Sequence, residues 1–164
     1  MDRLWAPWRI GYVQKEHKNK SACIFCEKIR AHAKHDAENY VVIRRKHACV
    51  VLNIYPYNNG HLMIVPRRHV SELGKLRNAE LLEVMTLLND TKEALERIMK
   101  PHGFNIGINY GHVAGAGIAD HCHIHIVPRW TGDTNFMPVF SDTKVIPDSL
   151  DALYERMVKI MRKP

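Results

Sequence analysis

The run His121-Cys122-His123-Ile124-His125-Ile126-Val127-Pro128-Arg129 constrains the fold of this chain more than any other stretch. Apolar and imidazole side chains alternate along it, and a period of two is the period of a β-strand. Cys122, Ile124 and Ile126 are therefore expected to face a core. His121, His123 and His125 share the opposite face, about 6.5–7 Å apart in succession. Three imidazoles in a row are costly to bury without partners and serve nothing if merely exposed.

Three readings of such a row compete: chance histidines on a solvated strand, a metal site built from all three rings, or a catalytic row. Strict alternation just behind the glycine-bearing stretch 111–117 argues against chance. Imidazole has a reference pKa of about 6.5, so its neutral form is a competent nucleophile near neutral pH. It can attack phosphorus and split one hard displacement into two easier ones through a covalent N–P intermediate. Phosphate oxygens then need donors. The backbone N–H groups of Gly115, Ala116 and Gly117 are expected to cradle them.

The rest of the chain supplies a frame for that strand. Residues 40–44 and 48–53 are β-branched and apolar, and residues 61–66 form a third such run after the turn-rich segment 55–60. Residues 79–99 carry Leu81, Met85, Leu88, Leu95, Ile98 and Met99 at helical spacing, with Asn78 as N-cap and Pro101 and Gly103 as the stop. Residues 104–110 alternate as a half-buried strand, and 147–161 read as a closing helix. Strands joined by short turns pair antiparallel. The expected class is α+β: a five-stranded antiparallel sheet with packed helices over residues 21–164, preceded by an irregular arm over 1–20.

Composition narrows the function classes. At 164 residues, 46% hydrophobic and 25% charged, the chain suits one ordinary globular domain and not a disordered one. No apolar run approaches the ~20 residues of a membrane-spanning helix. The first residues lack the apolar stretch of a secretory signal, so a cytoplasmic setting is expected. The net charge of +7 favours an anionic partner, and nucleic acid, an anionic membrane surface and a polyphosphate all satisfy that; a solvated surface that is merely basic accounts for it as well. The basic residues are scattered, which argues against a nucleic-acid groove.

Cys23 and Cys26 form a C-x-x-C pair with the spacing of two zinc ligands. Free thiols and a redox pair are the alternatives, although no βαβ pattern surrounds the motif. Arg129 and Trp130 follow the histidine run directly, where one can neutralise a phosphate and the other stack on a base, or both can be structural.

The motif His121-Cys122-His123-Ile124-His125-Ile126-Val127 resembles that of the histidine triad (HIT) family of nucleotide-binding proteins. The resemblance extends from Cys23 to Trp130 through Leu52-Asn53, Gly60-His61-Leu62-Met63-Ile64-Val65-Pro66, His69 and Ile108-Asn109-Tyr110-Gly111. The flanks Asp2-Arg3-Leu4-Trp5-Ala6-Pro7-Trp8-Arg9, Gly115-Ala116-Gly117-Ile118-Ala119-Asp120 and Gly132-Asp133-Thr134-Asn135-Phe136 are similar to the microbial branch that includes diadenosine tetraphosphate phosphorylases. The resemblance implies a HIT-like sheet assembled as a homodimer. It implies that His123 attacks an α-phosphorus of a nucleotide or dinucleoside polyphosphate, that His125 contacts the phosphate, and that Asn53 lies near the ribose and Asn109 near the phosphates. In the family pattern His61 would support the site, but a hydrogen-bonded structural histidine is the reading favoured by its place at a strand start; Asn135 and Phe136 are expected in a loop covering substrate. It further implies one structural zinc held by Cys23, Cys26, His69 and His121. Hydrolase members often carry Gln, then Ser or Thr, before the triad. Gly117 and Ile118 stand there in this chain, which leans the expectation toward phosphate over water as acceptor. A nucleoside phosphoramidate hydrolase and a nucleotide-sensing module with little turnover are the other readings.

Overall fold

The computed structural model describes residues 23–133 and 149–162. The expected arm over 1–20, Asn135 and Phe136, and the start of the closing helix at Pro147 lie outside them. The sequence of elements is α1 (Ile24–Arg30), β1 (Val41–Arg44), β2 (Ala48–Leu52), β3 (Leu62–Pro66), α2 (Asn78–Met99), β4 (Gly103–Gly107), β5 (Ile124–Arg129) and α3 (Leu150–Met161). The strands form one five-stranded antiparallel sheet in the order β1-β2-β3-β5-β4. The α+β class is that expected from the pattern.

The sheet is covered on both faces, which is why β2 and β3 are apolar throughout rather than alternating. One face sends Val50, Leu52, Leu62, Ile64, Ile124 and Ile126 against α2 and α3 in the main core. The other sends Val41, Cys49, Val51, Met63 and Val65 against Phe25 and Ile29 of α1. Ile124 and Ile126 thus enter the core as expected, and the imidazoles of β5 fall on the α1 side. Burial pushes the Cys49 thiol up to about 12, against the smaller opposing pull of Arg44 and Arg67, so it is a packing group.

Helix α2 departs from the expected stripe. Its buried apolar residues are Val84, Leu87, Leu88, Ala94 and Leu95, with buried Thr91 satisfied by the Leu87 carbonyl at 2.6 Å. At about 100° per residue these span one arc, and Leu81 and Met85 lie beyond its edge. Both are exposed, as is Leu82 at 70%. The N-cap is Arg77 and not Asn78. A guanidinium has no acceptor, so the cap works in reverse: the Glu80 carboxylate accepts the Arg77 backbone N–H at 2.7 Å. Strand β4 is also shorter than expected and ends at Gly107. Ile106 is 48% exposed because β4 is an edge strand whose end the helices leave uncovered.

Three tethers hold the site's frame. Asp36, buried, pairs with Arg44 and with Arg162, and Arg162 also donates to the Val41 and Val42 carbonyls, locking the end of α3 onto β1. Asn58 donates to the Pro128 carbonyl and to Asp133, joining the turn before β3 to the end of β5. Gly60 sits at φ +79°, and a Cβ there would meet Met99 Sδ and Pro128 Cγ, each at 2.8 Å. Gly60→Ala combines a left-handed backbone with a clash, so we expect it to cost about 2 kcal/mol or more in urea unfolding.

The Arg68 guanidinium, bonded to Glu80, holds that carboxyl down at about 2, well below its ordinary 4.5. A depressed carboxylate stabilises the fold above its unfolded pKa and loses that contribution as pH falls toward the folded one. The stability gap between the parent and Glu80→Gln is therefore expected to be full above pH 4.5 and to shrink toward pH 2. Thermal midpoints of both proteins across that range check it.

Candidate functional site

Strand β5 begins only at Ile124, so His121 and His123 belong to the extended segment leading into it. None of the three imidazoles is solvated: His121, His123 and His125 are all buried. Each has one ring nitrogen committed to a partner. His121 Nε2–H donates to the Pro66 carbonyl at 2.8 Å. His123 Nδ1–H donates to the His121 carbonyl at 2.9 Å. His125 Nδ1 lies 2.9 Å from His61 Nε2.

That last pair has a definite direction. The Tyr57 backbone N–H donates to His61 Nδ1 at 3.0 Å, so His61 carries its proton on Nε2 and donates to His125 Nδ1. His125 in turn carries its proton on Nε2 and is a donor there. His123 is the converse: its proton is on Nδ1 and the lone pair is on Nε2. Burial pulls the His123 imidazole below its ordinary pKa, against the smaller opposing effect of the His121 carbonyl, and so keeps that lone pair free at neutral pH. The row offers a nucleophile beside a proton donor. Phe25 backs it, with its ring centroid 4.9 Å from that of His123.

His123 and His125 open onto a cleft of about 930 Å³, counted out to its mouth. A row across the sheet forms part of its wall: Val51 of β2 is in register with Met63 of β3, and Met63 with His125 of β5. Ile24, Ile54 and Ile118 add apolar wall, suited to the faces of a base. Asn53 also lines it, as do Gly115 and Gly117. The Asn53 side chain is steadied by accepting the Tyr55 N–H at 2.9 Å.

The expected glycine cradle is narrower than its sequence suggests. The Gly115 N–H donates to the His112 carbonyl and the Ala116 N–H to the Gly111 carbonyl, so both serve the loop itself. Ala116 is buried and does not line the cleft, and Asn109 supports the loop through a 3.4 Å contact to the Gly115 carbonyl. Arg129 and Trp130 also turn to structural work. Arg129 grips Asp133 and Asn105, and Trp130 Nε1–H donates to the Met99 carbonyl. Neither lines the cleft.

A separate cluster gathers Cys23, Cys26, His69 and His121, whose ligand atoms all lie within 4.8 Å of one another. Cys23 Sγ is 3.3 Å from His121 Nδ1, Cys26 Sγ is 3.3 Å from His69 Nδ1, and Cys26 Sγ is 3.6 Å from His121 Nδ1. A tetrahedron with the usual zinc–sulfur and zinc–nitrogen bonds has S···N edges of about 3.5 Å. The donor set fits a metal: burial, then the neighbouring Cys23, pushes the Cys26 thiol up, and a cation reverses that cost by holding both sulfurs as thiolates. All three imidazole positions are thus accounted for, one facing the cysteines and two facing the cleft.

Pattern reading missed Tyr57, Phe25 and Lys28. Tyr57 lines the cleft, its ring 4.6 Å from that of His61, and its backbone sets the His61 tautomer. No side-chain pattern advertises a backbone donor. Phe25 was visible as one of the two residues between the cysteines but not as the ring behind His123. Lys28 lines the cleft from α1, and burial draws its ammonium below the ordinary value.

Comparison with known proteins gives one consistent result. The family model described as HIT domain matches residues 34–132. The chain is 42% identical over 154 residues to a protein of Mycobacterium tuberculosis named AP-4-A phosphorylase, covering 92% of this chain and 79% of that one. It is 34% identical over 111 residues to an uncharacterized HIT-like protein of Methanocaldococcus jannaschii, covering 68% of this chain and 81% of that one. A histidine triad nucleotide-binding protein of Sulfolobus tokodaii superposes with a TM-score of 0.64 at 26% identity, over 85% of this chain and 89% of its own.

Proposed function

The chain belongs to the HIT domain family, and from that premise we propose that it is a nucleotidyl transferase acting on dinucleoside polyphosphates through a nucleotidyl–His123 intermediate. The observation that carries this reading is the fixed tautomer of His123, which puts a lone pair on Nε2 at the wall of the cleft. The name of the Mycobacterium tuberculosis relative supports the substrate class.

The chemistry follows from the two tautomers. His123 Nε2 forms a bond to the α-phosphorus while the P–O bond to the outgoing polyphosphate breaks. His125 Nε2–H faces the oxygens on which charge develops, and the Gly117 end of the loop adds to that side of the cleft. An acceptor oxygen then attacks the same phosphorus, the N–P bond breaks and the imidazole is restored. We assign inorganic phosphate as that acceptor ahead of water, because Gly117 and Ile118 bring no side-chain donor of the kind hydrolases use. Asn53 serves the ribose. Asn109 acts on the phosphates through the loop it supports rather than by contact.

Zinc at Cys23, Cys26, His69 and His121 is structural in this reading, one ion per chain. Four protein ligands would close the coordination sphere, as in a structural rather than a catalytic zinc site. Bound there, the metal ties the start of α1 to the segment carrying His123. A homodimer in the cytoplasm completes the proposal. Support for a second copy comes from exposed Leu81, Leu82 and Met85 on α2 and from Ile106 on the edge strand β4. Among the described residues no helix is long and apolar enough to cross a membrane.

Two experiments test these assignments. His123→Ala is expected to lower turnover of diadenosine tetraphosphate by roughly 10³-fold or more while mononucleotide binding survives. Mass spectrometry of the quenched parent reaction should find an acid-labile nucleotide adduct, and the products with inorganic phosphate should be ATP and ADP. Full activity in the variant would remove His123 from the chemistry. Chelator treatment is expected to release about one equivalent of zinc and to lower the thermal midpoint, as structural sites contribute directly to folding. An unchanged midpoint after zinc loss would refute the structural role.

A further inference from the structure

The cleft has two chemically different ends. His125, Met63 and Val51 are in register across β5, β3 and β2, and Val51 is in register with Val41 of β1. Three strand spacings separate His125 from Val41, about 14 Å. The phosphate chemistry sits at the β5 end of this row. Lys28 sits at the other, because its Nζ donates to the carbonyl of Asn39, two residues before Val41, at 2.7 Å. Among the described residues that line the cleft it is the one lysine or arginine.

Position decides what Lys28 can reach. A nucleotide whose α-phosphorus meets His123 has its sugar between, and its base extends toward β1. The ammonium therefore meets the edge of the base farthest from the sugar and not the reacting phosphate. An ammonium has three donors and no acceptor. One donor is used on Asn39, which leaves two for a ligand. Guanine offers the paired acceptors O6 and N7, whereas adenine replaces the first with a donating amino group. The surrounding wall, with Ile24, Phe25 and Val51, is apolar and accepts either purine face equally.

Resting on the reading of this cleft as a nucleotide site, we infer that Lys28 reads the base and favours a 6-oxopurine such as guanine over adenine. The physiological substrate class would then include guanosine-containing dinucleoside polyphosphates. Lys28 is a specificity-determining residue in this role, separate from the groups that perform the displacement.

The test is calorimetric binding of GMP and of AMP to the intact protein and to Lys28→Met, which keeps most of the apolar stem. The parent is expected to favour GMP. The preference should fall by about tenfold in the variant, the scale of one charge-assisted hydrogen bond. Lys28→Gln, which offers an acceptor as well as a donor, should flatten it too and serves if Lys28→Met folds poorly. An unchanged GMP-to-AMP ratio in the folded variant would overturn the inference, and so would an equal loss of both ligands. Failure of the parent to bind either nucleotide would instead refute the reading of the cleft on which it rests.

Discussion

Every buried imidazole of the β5 segment surrenders one ring nitrogen to a fixed partner, and the identity of that partner decides what the other nitrogen can do. His121 gives Nε2–H to the Pro66 carbonyl, so its Nδ1 turns to the cysteines. His123 gives Nδ1–H to the His121 carbonyl, so its Nε2 is a lone pair. His125 accepts at Nδ1 from His61, so its Nε2 is a donor. In the proposed function a ligand, a nucleophile and a proton donor would thus arise from one residue type through three hydrogen bonds. Each bond also offsets the cost of burying a polar ring.

These bonds depend on parts of the chain far apart in sequence. The His121 carbonyl that orients His123 belongs to a residue whose side chain faces the Cys-x-x-C knuckle. In the proposed function, metal binding and nucleophile orientation would therefore be joined at one residue. The acceptor state of His125 traces back through His61 to a backbone N–H in the turn before β3. That turn is held to the end of β5 by Asn58 and closed by the tight packing at Gly60. The sheet and its tethers thus set the positions of the carbonyls and N–H groups that orient the imidazoles.

Several features were legible in the sequence because they have a short period or a fixed spacing. Alternation placed Ile124 and Ile126 in the core and the histidines opposite them. The β-branched runs gave β1, β2 and β3 to within a residue at either end. Long-range choices were not legible. Leu81 and Met85 satisfy the helical pattern as well as Val84 does, yet only the position of the sheet decides which arc of α2 is buried. Three glycine-flanked N–H groups look alike in a sequence, but the loop consumes those of Gly115 and Ala116 in its own turns. Arg129 could be read as a phosphate ligand until Asp133 and Asn105 were seen to hold it.

The amino-acid order by itself determined the two-faced strand, the antiparallel α+β sheet and the set of residue types from which a catalytic row and a metal cluster can be made. Periodicity and spacing are local properties, and local backbone geometry reads them directly. Tertiary structure alone decided which nitrogen of each histidine carries a proton, that His69 joins residues 43 and 52 positions away from it at Cys26 and His121, and that Lys28 lies at the far end of the cleft from His125. Those outcomes rest on hydrogen bonds between groups that only the folded sheet brings within 3 or 4 Å, and no local pattern encodes such a meeting.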